Sequence, residues 1–180
     1  PHAGTFVEVD TRRDLDILTR MQARGQPLLG EQGAFTWRQG DFNMTSDRDR
    51  FALREQAERD GYRHDGLGVW RSTGHPDLLA LRQGAMIYDL QANSGAHDCG
   101  VGHKTQWRRP NTADELQPLY LVDATAWHKA SAKRGVARIG LRALSNATNE
   151  RTAIACLLPD VPCGNSLGVL TPRGPSLQPL

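Results

Sequence analysis

Residues 141–167 read LRALSNATNERTAIACLLPDVPCGNSL, and this stretch decides what fold the chain is expected to adopt. Residues 136–144 and 151–158 are rich in apolar side chains and predict two strands, paired antiparallel, on either side of a polar segment. That segment combines hydrogen-bond donors and acceptors on short side chains. Such chemistry suits a simple strand-to-strand turn, and it also suits a surface that reads the hydrogen-bonding edges of a partner.

Outward from this stretch, the sequence pattern predicts short strands and capped helices. Strands are predicted at 5–9, 33–40, 67–72, 78–90 and 116–122, and helices at 11–24, 47–61 and 123–135. Gly25 and Gly135 are the expected stops of the first and last helix. Strands and helices do not alternate regularly, so we predict an α+β fold: one domain over 1–180 with a curved, mainly antiparallel sheet and about three flanking helices.

Composition narrows the class of protein. The 180 residues carry a formal net charge of +2, but residues 1–90 hold 12 Lys and Arg against 14 Asp and Glu, whereas residues 91–180 hold 10 against 6. The basic surplus therefore lies in the half that contains the polar segment, as expected if phosphate contacts orient a reader of bases. Three cysteines form no disulfide framework, and no apolar run is long enough to cross a membrane, so we expect a cytoplasmic chain.

Residues 91–112 are rich in Gly, Asn, Ser and His and predict a long loop or hairpin excursion. Within it, HKTQWRR places Lys104, Arg108 and Arg109 around Trp107, a pattern that suits phosphate contact and stacking on a base. An ordinary strand with Trp107 packed inward fits equally well. His97, Cys99 and His103 lack the paired spacing of a zinc site, so no metal is expected.

Three blocks of the chain resemble one family. They are FVEVDTRRDLDILTRMQARGQPLL at 6–29, DFNMTSDRDRFALREQAERDGYRHDG at 41–66, and the R…ATNERT…A…LP……GNSL signature at 142–167. Together they are similar to the C-terminal part of adenine-specific DNA methyltransferases of fused restriction–modification and BREX phage-defence systems. The segment LLALRQGAMIYDLQANSGAHD at 78–98 departs from that family's PLYEGKMIHQFDHR pattern, so no role is transferred to 87–93.

The resemblance implies a target recognition domain, a C-terminal fragment of a longer chain whose catalytic domain methylates adenine and in some relatives is joined to a nuclease. Double-stranded DNA and that catalytic domain are the implied partners. S-adenosylmethionine belongs to the catalytic domain, and this fragment is expected to hold no catalytic residue and no cofactor. The residues assigned to DNA are Lys104, Arg108, Arg109, Arg142, Asn146, Thr148, Asn149, Glu150 and Arg151.

Two other functions stay open from the sequence. A protein-interaction module of a defence complex would present an exposed apolar patch instead of a basic groove. A stand-alone hydrolase would assemble His64, His75, His97 or His103 with Cys99 and Asp98 in a concave pocket. The glycine-containing runs match neither a phosphate loop nor a dinucleotide loop.

Overall fold

The computed structural model describes residues 9–25, 28–112, 115–130, 137–146, 149–151 and 153–173. The chain divides into two compact units, Pro1–Ala34 and Phe35–Leu180. Of the strand predicted at 5–9, only Val9 is among the described residues, and it is not in a strand.

The first unit contains helix α1, Arg12–Arg24. Its start is set by a capping box, in which the Thr11 hydroxyl accepts from the Asp14 N–H at 3.2 Å and the Thr11 N–H donates to the Asp14 carboxylate at 3.1 Å. Gly25 ends the helix, and its N–H donates to the Met21 carbonyl at 2.7 Å. A side chain at Gly25 would place its Cβ 2.7 Å from the same carbonyl oxygen. The predicted start and stop are both confirmed.

The second unit is dominated by antiparallel strands. In chain order the strands are β1 Phe35–Gln39, β2 Phe51–Leu53, β3 Arg63–His64, β4 Val69–Arg71, β5 Leu78–Ala80, β6 Ala96–Cys99, β7 Gln106–Arg108, β8 Tyr120–Asp123, β9 Arg138–Arg142, β10 Ala155–Leu158 and β11 Leu167–Pro172. The helices are α2 Arg54–Arg59 and α3 Ala124–Ala130, with short 3-10 turns at Arg48–Arg50, Gly84–Met86 and Gly102–Lys104.

These strands form three open sheets. The first sheet has the order β1-β11-β9-β10, the second has the order β2-β8-β5-β4-β3, and β6 with β7 makes a two-stranded hairpin. Neighbouring strands run antiparallel throughout. The predicted α+β class and the antiparallel β9–β10 pair are confirmed, and the hairpin lies inside the excursion predicted at 91–112.

The first sheet has one apolar cluster and the second sheet has two. Under the first sheet, Ile87 packs among residues of β10 and β11. The two faces of the second sheet are covered separately: α2 contributes Ala57 to a cluster around Trp70, and α3 contributes Trp127 to a cluster that contains Phe42. Trp127 is thus a core residue, as its position in a predicted amphipathic helix indicated.

A buried ion pair lies where β1, β9 and α3 meet. Arg138 binds the Asp41 carboxylate with both terminal nitrogens, at 2.8 and 3.0 Å, and both side chains are 4% exposed. The Arg138 guanidinium also donates to the Val161 carbonyl and lies 5.0 Å from the centre of the Trp127 ring. Burial opposes the charge on Arg138, but its hydrogen bonds to Asp41 and the attraction of nearby acidic groups, Asp160 among them, together outweigh burial, and the pKa of Arg138 is raised.

The Asp41 carboxylate also holds the segment that leads into β11. Asp41 accepts from the Cys163 N–H at 2.9 Å, and its own N–H donates to the Cys163 carbonyl at 2.7 Å. Burial raises the pKa of the Cys163 thiol to about 12, so this cysteine is a neutral core side chain.

Several predicted elements are shorter than expected. The helix predicted at 47–61 exists only at Arg54–Arg59, because Phe51 pairs with Val122 of β8 and packs edge-on against Phe42 at 5.9 Å. Burial of the aromatic ring overrides the local helical pattern. The strand predicted at 78–90 ends at Ala80, and a 3-10 turn follows at Gly84–Met86. The predicted end of α3 at Gly135 lies outside the described residues.

Asp41→Ala should lower the free energy of unfolding by about 3–5 kcal/mol, because it leaves the Arg138 charge buried without its counterion. Urea denaturation measures the change. Arg50→Ala, which removes an exposed pair with Asp47, is the matched control and should cost less than about 1 kcal/mol. Equal losses in the two variants would contradict a structural role for the buried pair.

Candidate nucleic-acid interface

The polar segment between β9 and β10, residues 143–153, is named here the Asn loop. Its base is held by backbone bonds: the Arg142 N–H donates to the Ile154 carbonyl and the Ala143 N–H to the Ser166 carbonyl, both at 3.0 Å. Inside the loop, the Asn149 N–H donates to the Asn146 carbonyl at 2.9 Å and its side-chain amide donates to Ser145 at 3.4 Å. Thr148, one of the residues assigned to DNA, lies outside the described residues.

The Asn loop is attached to a second polar turn, residues 88–91. Arg151 forms an ion pair with Asp89 at 3.0 Å, and the Leu90 N–H donates to the Ala155 carbonyl at 2.8 Å. Tyr88 and Gln91 close this turn as an antiparallel bridge. Leu90 adopts a φ of 60° and its side chain is 85% exposed. The turn therefore lies directly beside one of the predicted recognition regions.

The 88–91 turn also borders a groove of about 990 Å³. One wall of the groove is formed by residues of 85–95 and the opposite wall by residues 107–112. We call this feature the amide groove, because its lining includes Gln91, Asn93 and Asn111. Tyr88 and Trp107 add aromatic surface, and Arg109 supplies a cation. Aromatic rings, amides and arginine are the side chains with which proteins contact nucleic-acid bases and backbone.

Glu115 connects the two walls of the amide groove. Its carboxylate accepts from Arg108 and from the Asn111 N–H, and its backbone carbonyl accepts from the Asn93 amide. The bonds from Arg108 lower the pKa of Glu115 to about 2, with further help from the Asn111 N–H. The Arg108 pKa is raised by the same partner. The groove is therefore braced by an ionised carboxylate at neutral pH.

The hairpin β6–β7 presents the basic residues predicted in HKTQWRR. Lys104 and Arg109 are exposed, whereas Arg108 is half-buried and bound to Glu115, with Asp98 at 3.6 Å. Trp107 is half-buried and meets His97 edge-on at 5.8 Å. Trp107 thus packs against His97 as an ordinary strand residue would, and of the three basic residues Lys104 and Arg109 are exposed.

The structure brings two of the predicted regions to opposite sides of one segment. Arg151 lies against the 88–91 turn, and Arg109 lines the groove wall that faces the same turn. Arg142 stands at the end of β9, and Asn146 and Glu150 are exposed in the Asn loop. The sequence prediction missed Gln91 and Asn111. Their positions in the sequence could have indicated them. Both lie at the ends of the polar run 91–112, and a hairpin within that run brings its ends together.

The GNSL turn, residues 164–167, holds neighbouring segments of the chain in place through hydrogen bonds. Asn165 accepts from the Met44 N–H at 3.3 Å, and the Ser166 hydroxyl accepts from the Gly84 N–H at 2.9 Å. A Cβ at Gly164 would lie 2.8 Å from the Met44 sulfur. The turn thus fixes the start of the groove wall at Gly84 and, through the Ser166 carbonyl, the base of the Asn loop.

Two of the histidines considered for a hydrolase, His64 and His97, have structural contacts. His64 accepts from the Gly68 N–H at 3.1 Å and stacks on Trp70 at 4.3 Å, and buried His97 bonds the Gly100 carbonyl at 2.8 Å. None of these histidines, nor Cys99, lines the amide groove. Within the described ranges, no group of three or more His, Cys, Asp or Glu residues is placed to hold a metal ion.

An apolar row crosses the outer face of the first sheet. Trp37 is opposite Leu170, Leu170 is opposite Ile139, and Ile139 is opposite Leu157. Residues directly opposite one another project from the same face. Trp37 and Leu157, at the two ends of this outer row, are 54% and 65% exposed. The other face is the buried core around Val169 and Cys156.

Comparison with known proteins adds no family assignment. No protein-family model matches the chain, and neither the curated proteins nor the solved structures give a significant match. Among the described helices, none has the length and apolar character needed to cross a membrane.

Protonation of Glu115 at low pH should weaken the bonds that hold the walls of the amide groove. A carboxyl whose folded pKa is depressed stabilises the folded state above its ordinary pKa of 4.5, and that contribution is lost as the pH falls toward about 2. Glu115→Gln should therefore have a lower Tm than the wild type at pH 7, and the difference should shrink steadily from pH 4.5 downward. Thermal unfolding followed from pH 7 to pH 3 measures it. A difference that stays constant over this range would show that the carboxylate charge is not what braces the walls.

Proposed function

We propose that the chain is a sequence-reading, double-stranded DNA-binding domain that positions an adenine methyltransferase on its target. In this proposal the domain itself performs no chemistry. A catalytic domain of the same polypeptide binds S-adenosylmethionine and methylates the base, with or without an associated nuclease, in the cytoplasm. This is the function implied by the resemblance of the blocks at 6–29, 41–66 and 142–167.

One structural observation supports it most directly. Two regions identified separately from sequence, the Asn loop and the basic hairpin β6–β7, border the same 85–95 segment, one through the Arg151–Asp89 pair and the other across the amide groove. A reader of DNA needs cations that bind phosphates beside amides that bind base edges. Here both kinds of side chain are exposed around one concave surface.

The ion pairs set how strongly such a surface can bind. Arg108 is neutralised by Glu115, and Arg151 by Asp89. Of the five assigned cations, Lys104, Arg109 and Arg142 have no ion-pair partner among the residues that the structure describes. Three phosphate contacts give modest affinity, which fits a domain that acts beside a catalytic partner on the same DNA.

DNA binding by the 180-residue chain should weaken with salt in proportion to those three cations. The slope of log K against log salt is expected to be about −3, and not the value of about −4.5 that five phosphate contacts would give. Fluorescence anisotropy with a labelled duplex between 20 and 200 mM salt measures it. Arg109→Ala should reduce the slope by about 1, whereas Arg63→Ala, on the edge strand β3 of the second sheet, is the matched control and should leave it unchanged. Absence of binding at the lowest salt, or binding that salt does not weaken, would contradict the proposal.

The outer row of the first sheet favours a second candidate, a protein-interaction module. Its exposed ends, Trp37 and Leu157, are large apolar side chains of the kind that interfaces bury. A Trp37→Ser and Leu157→Ser double variant separates the candidates. DNA binding at wild-type strength in this variant places DNA recognition elsewhere than the outer row, and no DNA binding by the wild type would leave the interaction module as the better function.

A further inference from the structure

We propose that Gln91 and Asn111, which both line the amide groove, are specificity-determining residues that read adenine in the DNA target. The inference rests on the proposed function and names two base-reading side chains outside the Asn loop. Gln91 belongs to the 78–98 segment, where the chain departs from the pattern of the family it resembles, so the resemblance assigns it no role.

The positions of the two amides support this assignment. Gln91 comes from the 88–91 turn and Asn111 follows β7, so they belong to opposite walls of the groove. Both residues are exposed, and neither side-chain amide has a hydrogen-bond partner among the described residues. Other polar groups of the lining are already engaged: the Asn93 amide donates to the Glu115 carbonyl, and Arg108 is bound to the Glu115 carboxylate. The engaged groups build the walls, and the amides of Gln91 and Asn111 stay exposed in the lining.

The backbone beneath the two amides is fixed, which a specific contact needs. Gln91 exchanges two backbone hydrogen bonds with Tyr88, each 3.0 Å long, and the Asn111 N–H is held by the Glu115 carboxylate. A backbone that is already ordered adds no loop-ordering cost when its side chains bind. Each amide can therefore be presented to a partner at a defined place.

The chemistry of a carboxamide identifies the ligand. A Gln or Asn side chain donates from nitrogen and accepts at oxygen side by side, which matches the N6 amino group and N7 of adenine in the major groove. Tyr88 and Trp107 in the same lining offer apolar surface for a thymine methyl group. Arg109 lies on the rim, where a phosphate or a guanine is the suitable partner. The groove therefore fits A·T-containing duplex DNA better than an acidic peptide, whose side-chain carboxylates only accept hydrogen bonds and would leave the oxygens of both amides without a donor.

The test is selection of bound duplexes from a random library by the full 180-residue chain at low salt, followed by sequencing. Wild type should enrich a short motif that contains adenine. Gln91→Ala and Asn111→Ala should each reduce discrimination at one adenine position by about 5- to 100-fold and leave the other positions unchanged. Gln106→Ala is the matched control, because Gln106 is an exposed amide of β7 that does not line the groove.

Isosteric variants keep the test decisive if truncation disturbs the fold. Gln91→Glu and Asn111→Asp replace the amide donor with an acceptor of the same shape, so preference at the affected position should move from adenine toward cytosine, whose N4 group donates. Thermal unfolding of every variant identifies loss of the fold.

The possible failures are distinct. If the wild type enriches a motif and all four groove variants enrich the same motif with the same discrimination, this inference is overturned while the proposed function stands. If the wild type binds no duplex, the proposed function itself fails. Binding of an acidic peptide at the groove in place of DNA would also overturn the inference.

Discussion

The second unit depends on one buried contact, the bidentate ion pair between Arg138 and Asp41. An unpaired charge in this position would be costly, so the two residues hold each other at a fixed distance and orientation. Asp41 follows β1, Arg138 begins β9, and the Asp41 carboxylate also accepts from the Cys163 N–H at 2.9 Å. Trp127 of α3 lies beside the guanidinium. Segments more than 90 residues apart in the chain are thereby joined at one point.

The two surfaces proposed to bind DNA are connected to this buried pair through one turn. Cys163 leads into the GNSL turn, where Ser166 binds the N–H of Gly84 and the N–H of Ala143. Gly84 begins the wall of the amide groove, and Ala143 begins the Asn loop. The buried pair therefore sets, through one turn, the relative placement of the two polar surfaces. Glu115 then fixes the second wall of the groove by a separate set of bonds.

Local chemistry in the sequence predicted the elements whose causes are local. The capping box at Thr11, the stop at Gly25, the Asp123 cap of α3, which accepts from the Thr125 and Ala126 N–H groups, and the β9–β10 pair could all be derived from neighbouring residues. The strand at Phe51 could not, because it forms to bury an aromatic ring against Phe42, which lies outside the local pattern. The sequence pattern also missed the separate sheets and the Arg138–Asp41 pair, because both depend on contacts between residues far apart in the chain. Asp41 and Arg138 are 97 positions apart. At the site, the cations of the hairpin could be named from sequence, but the engagement of Arg108 by Glu115 and of Arg151 by Asp89 required the fold.

The central claim is that DNA occupies the amide groove, and side-chain NMR tests it most directly. In a ¹H–¹⁵N spectrum of the chain titrated with a selected duplex, the side-chain amide signals of Gln91 and Asn111 should shift together with the backbone of the Asn loop. The amide of Gln106 and the indole N–H of Trp37 should stay in place. Shifts at the Trp37 indole without any change at Gln91 and Asn111 would contradict the account and place the binding surface on the outer face of the first sheet.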